Sequence, residues 1–381
     1  MSKYTLYYVT NRGYEGDNKM SPDRYGKKFS DSGSENLRFG KLTVEADATK
    51  VAKFLAKKSK AGDGDGVKLT GYFAKRAKNG QIKISPYRER LRRGAHEDSQ
   101  TDALLGSAKM FEEIRKVMLK ARDVVILVHG YNVDWEEAVG TALSLQVMLN
   151  RPGIRQSSPG GTAPGDVMVL LFTWPSDGSM LPFVSYKSDR AEAGPSGAAL
   201  GRSLLRLRDY LLRLPVAKHC DRNLNLVCHS MGNFVLQHAV ARAAENVGGP
   251  RIPCIFDQIF LCSADVDDDV LEPGEALARL PEMCNQISVY YNRGDAALGV
   301  SDVTKGNPDR LGTNGAARPG ELHHKVQQID CSDIVTGIVE HSYYLTGRIN
   351  QDIRLSLDGV APDAVSRKRV PGRHPNSWKM V

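Results

Sequence analysis

No apolar run in this 381-residue chain approaches the roughly 18 residues a helical membrane span needs. The opening MSKYTLYYVTNR also lacks an apolar stretch ending in small residues, so no secretion signal is read there and a cytoplasmic protein is expected. Cysteine is scarce. The six (Cys220, Cys228, Cys254, Cys262, Cys284, Cys331) form no C-x-x-C pair and mostly sit in strand-like apolar runs, where a reduced cysteine behaves as a small hydrophobe. Neither a disulfide frame nor a structural zinc site is therefore expected. Hydrophobic residues at 41% and charged residues at 25% exclude the disordered and fibrous classes and leave an ordinary globular composition.

Charge of one sign is not lacking: the net charge is +8. It is unevenly spread, with 13 Lys/Arg against 3 Asp/Glu in residues 52–93, 5 against none in residues 365–381, and a net acidic remainder. The basic blocks flank rather than occupy the segments that carry chemistry. Residues 52–93 contain no recognisable nucleic-acid motif, so no specific nucleic-acid partner is expected. The stretch does supply an alternative reading, a catalytically inactive binding or scaffold protein that meets an anionic partner there.

From residue 124 onward, short apolar runs alternate with helix-period segments, the pattern of a mostly parallel sheet covered by helices. Strands are expected at Val124–Val128, Val167–Phe172, Leu224–Cys228, Ile259–Cys262, Ile287–Tyr291 and Val326–Ile329. Leu200, Leu204, Leu207, Leu211 and Leu214 make one apolar helical stripe. Before residue 100, Tyr4–Val9, Leu37–Val44, Val67–Ala74 and Gln81–Ser85 read as antiparallel strands separated by turns such as Gly62-Asp63-Gly64-Asp65-Gly66, followed by a helix over about 102–121. The expected fold class is α/β, with a mostly parallel central sheet, helices on both faces and an N-terminal antiparallel extension over residues 1–100. Residues 1–364 read as one domain, 296–325 as a long loop, and the basic, Pro- and Gly-bearing tail 365–381 as mobile.

The sharpest signal is Leu224-Asn225-Leu226-Val227-Cys228-His229-Ser230-Met231-Gly232-Asn233, followed by a helix-compatible run from Phe234 to Ala244. Strand, tight turn and helix with serine at the apex form a nucleophile elbow, usually G-x-S-x-G. Gly232 fits the second glycine and Cys228 stands in place of the first. A second strand runs into His129-Gly130-Tyr131-Asn132, the position from which one oxyanion-hole N–H comes in acyl-transfer hydrolases of this architecture; the other comes from the residue after the nucleophile. Tyr131 and Met231 would supply them, while His129 reads as a residue that orients the loop.

A serine hydroxyl is a weak nucleophile, so a carboxylate and a histidine base should follow it in chain order. Asp295, in Asn292-Arg293-Gly294-Asp295 after the strand Ile287–Tyr291, is the first candidate acid, and Asp265 and Asp267 are its rivals. The run Asp265-Val266-Asp267-Asp268-Asp269 also resembles a calcium loop, but Val270 and Ala276 occupy the positions where glycine and glutamate are needed. No metal is expected. Among the histidines beyond Asp295, His341 in Glu340-His341-Ser342-Tyr343-Tyr344 follows the last strand and is the expected base.

With these residues the chain resembles an α/β-hydrolase, and more narrowly a bacterial family of that fold catalogued as hydrolases of unknown function. The resemblance rests on Tyr7-Tyr8-Val9-Thr10-Asn11-Arg12, His129-Gly130-Tyr131-Asn132, Phe172-Thr173-Trp174-Pro175-Ser176, the elbow, Asp265-Val266-Asp267 and His341-Ser342-Tyr343, across roughly residues 4–346. It implies a Ser-His-Asp triad and cleavage of an ester-like bond in a small-molecule or lipid-like substrate, without a cofactor. Both the Asp265 and the Asp295 turns match the family. The segment 176–195, with Met180, Leu181, Pro182, Phe183 and Tyr186, is placed to be a lid or an acyl-pocket wall.

Overall fold

A computed structural model describes residues 1–88, 106–119, 123–154, 166–176, 182–212, 223–298, 309–335 and 341–381. In chain order the strands are β1 Ser2–Thr10, β2 Arg12–Glu15, β3 Arg24–Phe29, β4 Arg38–Ala46, β5 Ile82–Pro86, β6 Asp123–Val128 and β7 Val167–Thr173. They continue with β8 Asn223–His229, β9 Phe256–Cys262, β10 Cys284–Tyr291, β11 Val326–Asp330, β12 Arg369–Pro371 and β13 Ser377–Met380. Apart from the β2–β3 hairpin, these join one sheet in the order β12-β13-β11-β10-β9-β8-β6-β7-β1-β4-β5. From β13 to β1 every pairing is parallel, and only the outermost pairings, β12 with β13, β1 with β4 and β4 with β5, are antiparallel.

The central strands β6 and β7 are apolar along nearly their whole length because both faces are covered. Along β6, Val124, Ile126 and Val128 point into one apolar layer and Val125 and Leu127 into the other, as the two-residue period of a strand requires. The first layer is closed by helices α3 (Gly106–Met118), α5 (Pro182–Leu212) and α6 (Gly232–Asn246), through Met110, Ile114, Leu200, Leu204, Val235 and Ala239. The second is closed by α2 (Gly66–Lys78), α4 (Trp135–Leu149) and the helix Gly347–Leu357, through Leu69, Phe73, Ala138, Leu145, Ile349 and Ile353. No helix among the described residues is long and apolar enough to cross a membrane.

The structure corrects three sequence expectations. Val67–Ala74 is not a strand but the body of α2: Asp65 caps it by accepting from the Lys68 N–H at 3.0 Å, and Leu69, Phe73, Ala74 and Ala77 are buried at helical spacing. The burial period of α2, set by packing on α4, overrides the local β-like composition. The basic stretch 52–93 thus includes the helix Gly66–Lys78 and the strand Ile82–Pro86, and part of its charge is met locally, Lys57 by Asp65 at 2.5 Å and Lys78 by Asp134 at 2.8 Å. In the expected long loop 296–325, residues 299–308 lie outside the described residues. The remainder carries helical turns at Leu311–Asn314 and Pro319–Glu321 rather than loop alone. Residues 177–181 of the expected lid are also outside the described residues; from Pro182 the chain enters α5.

The third correction concerns the tail, which is built into the sheet: residues 369–371 and 377–380 are β12 and β13, and β13 pairs in parallel with β11. Its anchor is Asp352, fully buried on the helix Gly347–Leu357. Asp352 Oδ1 accepts from Arg367 Nε and Arg369 Nε at 2.9 Å each, and Oδ2 accepts from Tyr290 Oη–H at 2.6 Å. Burial alone would raise the Asp352 carboxyl, but the Arg369 and Arg367 guanidiniums bring it below its ordinary value. A depressed carboxyl contributes stability above its unfolded pKa and loses it as pH falls through the folded one. Asp352→Ala strands two guanidiniums and should cost about 3–5 kcal/mol in urea unfolding at neutral pH, less below about pH 4, where the carboxylate no longer contributes fully. A loss that is the same at pH 7 and pH 3 would show that the ion cluster does not hold the tail.

Candidate active site

At the carboxyl ends of the central parallel strands, where this class of sheet builds its sites, three non-glycine residues adopt positive φ. They are Asn132 at 57° after β6, Ser230 at 53° after β8 and Ser263 at 46° after β9. Each such conformation costs on the order of 1–3 kcal/mol, and the clustering of strained residues is itself a mark of function. Ser230 forms the expected elbow. Its N–H donates to the Cys262 carbonyl at 3.0 Å, and its own carbonyl accepts from the Asn233 N–H at 3.0 Å, the Asn233 side-chain amide at 3.0 Å and the Asp265 N–H at 3.2 Å.

Two glycines let this turn close. A Cβ on Gly232 would stand 2.6 Å from the Val128 carbonyl oxygen and 2.8 Å from that of His129, and one on Gly130 would stand 2.7 Å from Ser230 Cβ. No side chain fits at either place without moving backbone. Cys228, in place of the usual first glycine, is tolerated because its side chain lies in the apolar layer with Val235 and Leu236 rather than between the strand and helix backbones.

The loop after β6 is held from several directions. Asp189 on α5 accepts from the Asn132 N–H at 2.9 Å and from the Ser176 hydroxyl at 2.6 Å, and Ser176 Oγ accepts from the Val133 N–H at 3.1 Å. Fully buried Arg12 donates Nη2–H to the Val133 carbonyl at 2.8 Å and Nε–H to Thr173 Oγ1 at 3.0 Å. Burial lowers the Arg12 pKa to about 10, still charged near neutrality. His129 is pushed down to about 3 by burial and by Arg12, so it is neutral. Its Nδ1–H donates to the Gly130 carbonyl at 2.8 Å, its Nε2 accepts from Thr173 Oγ1–H at 2.9 Å, and its ring stacks on Trp174 at 5.5 Å. The Thr10-Asn11-Arg12 and Trp174-Pro175-Ser176 motifs thus converge on the Gly130–Val133 loop.

His341 enters from the segment after β11. Its Nδ1–H donates to Asp295 Oδ2 at 2.8 Å and approaches Oδ1 at 3.0 Å, with the Asp295 side chain nearly fully buried and that of His341 20% exposed. With Nδ1 committed, Nε2 is the ring nitrogen left to take a proton. The rival acids have other partners, although Asp265 lines the same pocket. Asp267 pairs with Arg310 Nη1, and Asp265 Oδ1 lies 3.5 Å from Arg310 Nε and accepts from Tyr186 Oη–H at 3.3 Å. Ser230, His341, Tyr131, Tyr186, Asp265, Ala297 and Leu298 together line a pocket of about 20 Å³, room for roughly one water.

The structure therefore brings Ser230, His341 and Asp295 to one place, with Tyr131 on the pocket wall and Met231 directly after the serine. Sequence reasoning missed His229 and Ser263. His229 ends β8 and Ser263 follows β9, and both donate to the His341 carbonyl, at 3.1 and 2.7 Å. Their only signal was polarity where the strands reach the site. Among the described residues, no group of three or more His, Cys, Asp or Glu side chains is arranged to hold a metal ion.

The family described as alpha/beta hydrolase of unknown function (DUF900) matches residues 107–351, well over half of the 381 residues. The Gly130 loop, the elbow, both aspartate turns and His341 all fall within that span, whereas Thr10-Asn11-Arg12 precedes it. No curated protein matches the chain.

Proposed function

This chain belongs to that α/β-hydrolase family, and from this premise we propose that it is a serine hydrolase cleaving a carboxylic ester through an acyl-enzyme intermediate. The observation that carries the reading is a serine held at φ 53° on the strand-to-helix turn, facing the same pocket as a histidine whose Nδ1–H is bound to a buried carboxylate. His341 Nε2 takes the Ser230 proton as Oγ attacks the acyl carbonyl, and the imidazolium returns that proton to the departing alkoxide. Asp295 keeps the ring in the tautomer with a bare Nε2 and stabilises the imidazolium. The Tyr131 and Met231 N–H groups hold the oxyanion. Each such donor contributes about 3 kcal/mol to the transition state. Water then cleaves the acyl-enzyme, again with His341 as base.

The reading is tested by treating the protein with a fluorophosphonate, which phosphonylates an activated serine, and by assaying nitrophenyl esters of increasing acyl length. Labelling that maps to Ser230 together with ester turnover is the expected result. A reagent that leaves Ser230 unmodified over hours, with no ester turned over, rejects it.

A further inference from the structure

We propose that His229 and Ser263 form a two-donor clamp on the main-chain carbonyl of His341, and that this clamp, with Asp295, sets where the His341 ring stands relative to Ser230. The proposal rests on the serine-hydrolase reading above. A carbonyl oxygen has two lone pairs and can accept both donors. His229 Nε2–H reaches it at 3.1 Å and Ser263 Oγ–H at 2.7 Å.

The two donors stand on the most rigid ground available. His229 ends β8 and pairs in register with Cys262, the last residue of β9, and Ser263 follows at once with its strained φ of 46°. Both are buried. The His229 ring also packs 4.7 Å from the His341 ring and 4.9 Å from that of Tyr344. Asp295 fixes one ring nitrogen and leaves the residue free to pivot about that contact. Fixing the carbonyl as well removes the pivot, so ring and main chain are held from opposite ends. His229 is itself a histidine beside the nucleophile, and its Nε2–H is the one that meets the carbonyl. Burial, and then the neighbouring His341, hold its pKa well below the ordinary value, so it stays a neutral donor.

A positioning role predicts loss in kcat without loss in KM, because neither residue lines the pocket shared by Ser230 and His341. His229→Leu and Ser263→Ala should each lower kcat about tenfold with KM within about twofold, and the double variant should lose about a hundredfold. His229→Gln, whose amide N–H can reach the same carbonyl, should recover to within about threefold of the parent. The exchange of the His341 Nδ1 proton with water, followed by nitrogen-edited NMR, should be faster in the double variant whether or not an ester is turned over.

Wild-type kcat and wild-type exchange in the double variant would overturn the clamp, as would a glutamine variant no better than leucine. If His229→Leu does not fold, Ser263→Ala and His229→Gln carry the comparison. A wild-type protein that fluorophosphonate does not label, but whose His341 proton is deprotected by the double substitution, would reject the hydrolase reading and leave the clamp standing. A labelled wild type with an unaffected double variant would do the reverse.

Discussion

Ser230→Ala is expected to lower kcat for a nitrophenyl ester by on the order of 10⁶-fold and to abolish fluorophosphonate labelling, with the fold intact. The magnitude follows from the way a triad works: without a nucleophile, His341 and Asp295 have no proton to move, so their contributions vanish with it. What survives is catalysis by binding and by the oxyanion donors. The backbone gives the prediction a second arm. Ser230 holds φ 53°, and the strain of that conformation belongs to the main chain and Cβ rather than to the hydroxyl. Ser230→Gly should therefore be as inactive as the alanine variant yet more stable than wild type by about 1 kcal/mol, measured by urea unfolding. Retention of more than a tenth of wild-type turnover in Ser230→Ala would place the nucleophile elsewhere.

Asp295→Asn should reduce kcat by about 10⁴-fold, because an amide that offers its N–H to Nδ1 favours the tautomer protonated at Nε2 and leaves nothing to accept the serine proton. The informative control is Asp265. Its carboxylate lines the same pocket but is paired with Arg310 and Tyr186, whereas Asp295 holds the His341 ring, so Asp265→Asn should act mainly on stability, through an Arg310 left buried beside a weaker partner. The expected cost is about 3 kcal/mol or more, with kcat falling by less than about tenfold. Comparing both variants at one pH separates the two. Collapse of turnover in Asp265→Asn with Asp295→Asn near wild type would exchange their roles.

Much of this site was legible before any coordinates. The chemistry of a serine elbow demands a strand, a tight turn with small residues and a helix in unbroken succession, and the run from Leu224 to Ala244 meets that demand locally. The parallel sheet was legible for a similar reason: strands buried on both faces carry continuous apolar runs, as at Val124–Val128, Val167–Phe172, Leu226–Cys228 and Ile259–Cys262. The expectation failed where local composition and tertiary burial disagreed. Val67–Ala74 has strand-like content, but its burial period is set by α4. The basic tail has disorder-like composition, yet Arg367 and Arg369 find a buried carboxylate 15 and 17 residues earlier.

The sequence alone thus determined the sheet's parallel core, the serine, the loop that faces it and the histidine, because each is a contiguous pattern whose physics acts over a few residues. The sequence put Asp295 first among the aspartates, and only the tertiary structure shows that it is the one His341 meets. Asp265 and Asp295 both follow strand ends, in turns of similar chemistry, and nothing nearby in the chain decides between them. The choice is made by Arg310, which comes back beneath the first, and by His341, which descends on the second; both contacts join segments about 45 residues apart. The same holds for Asp189 and Arg12 under the Gly130 loop and for His229 and Ser263 beneath the His341 carbonyl. Orientation of a catalytic group depends on contacts between distant segments, which exist only once the strand ends have been brought side by side.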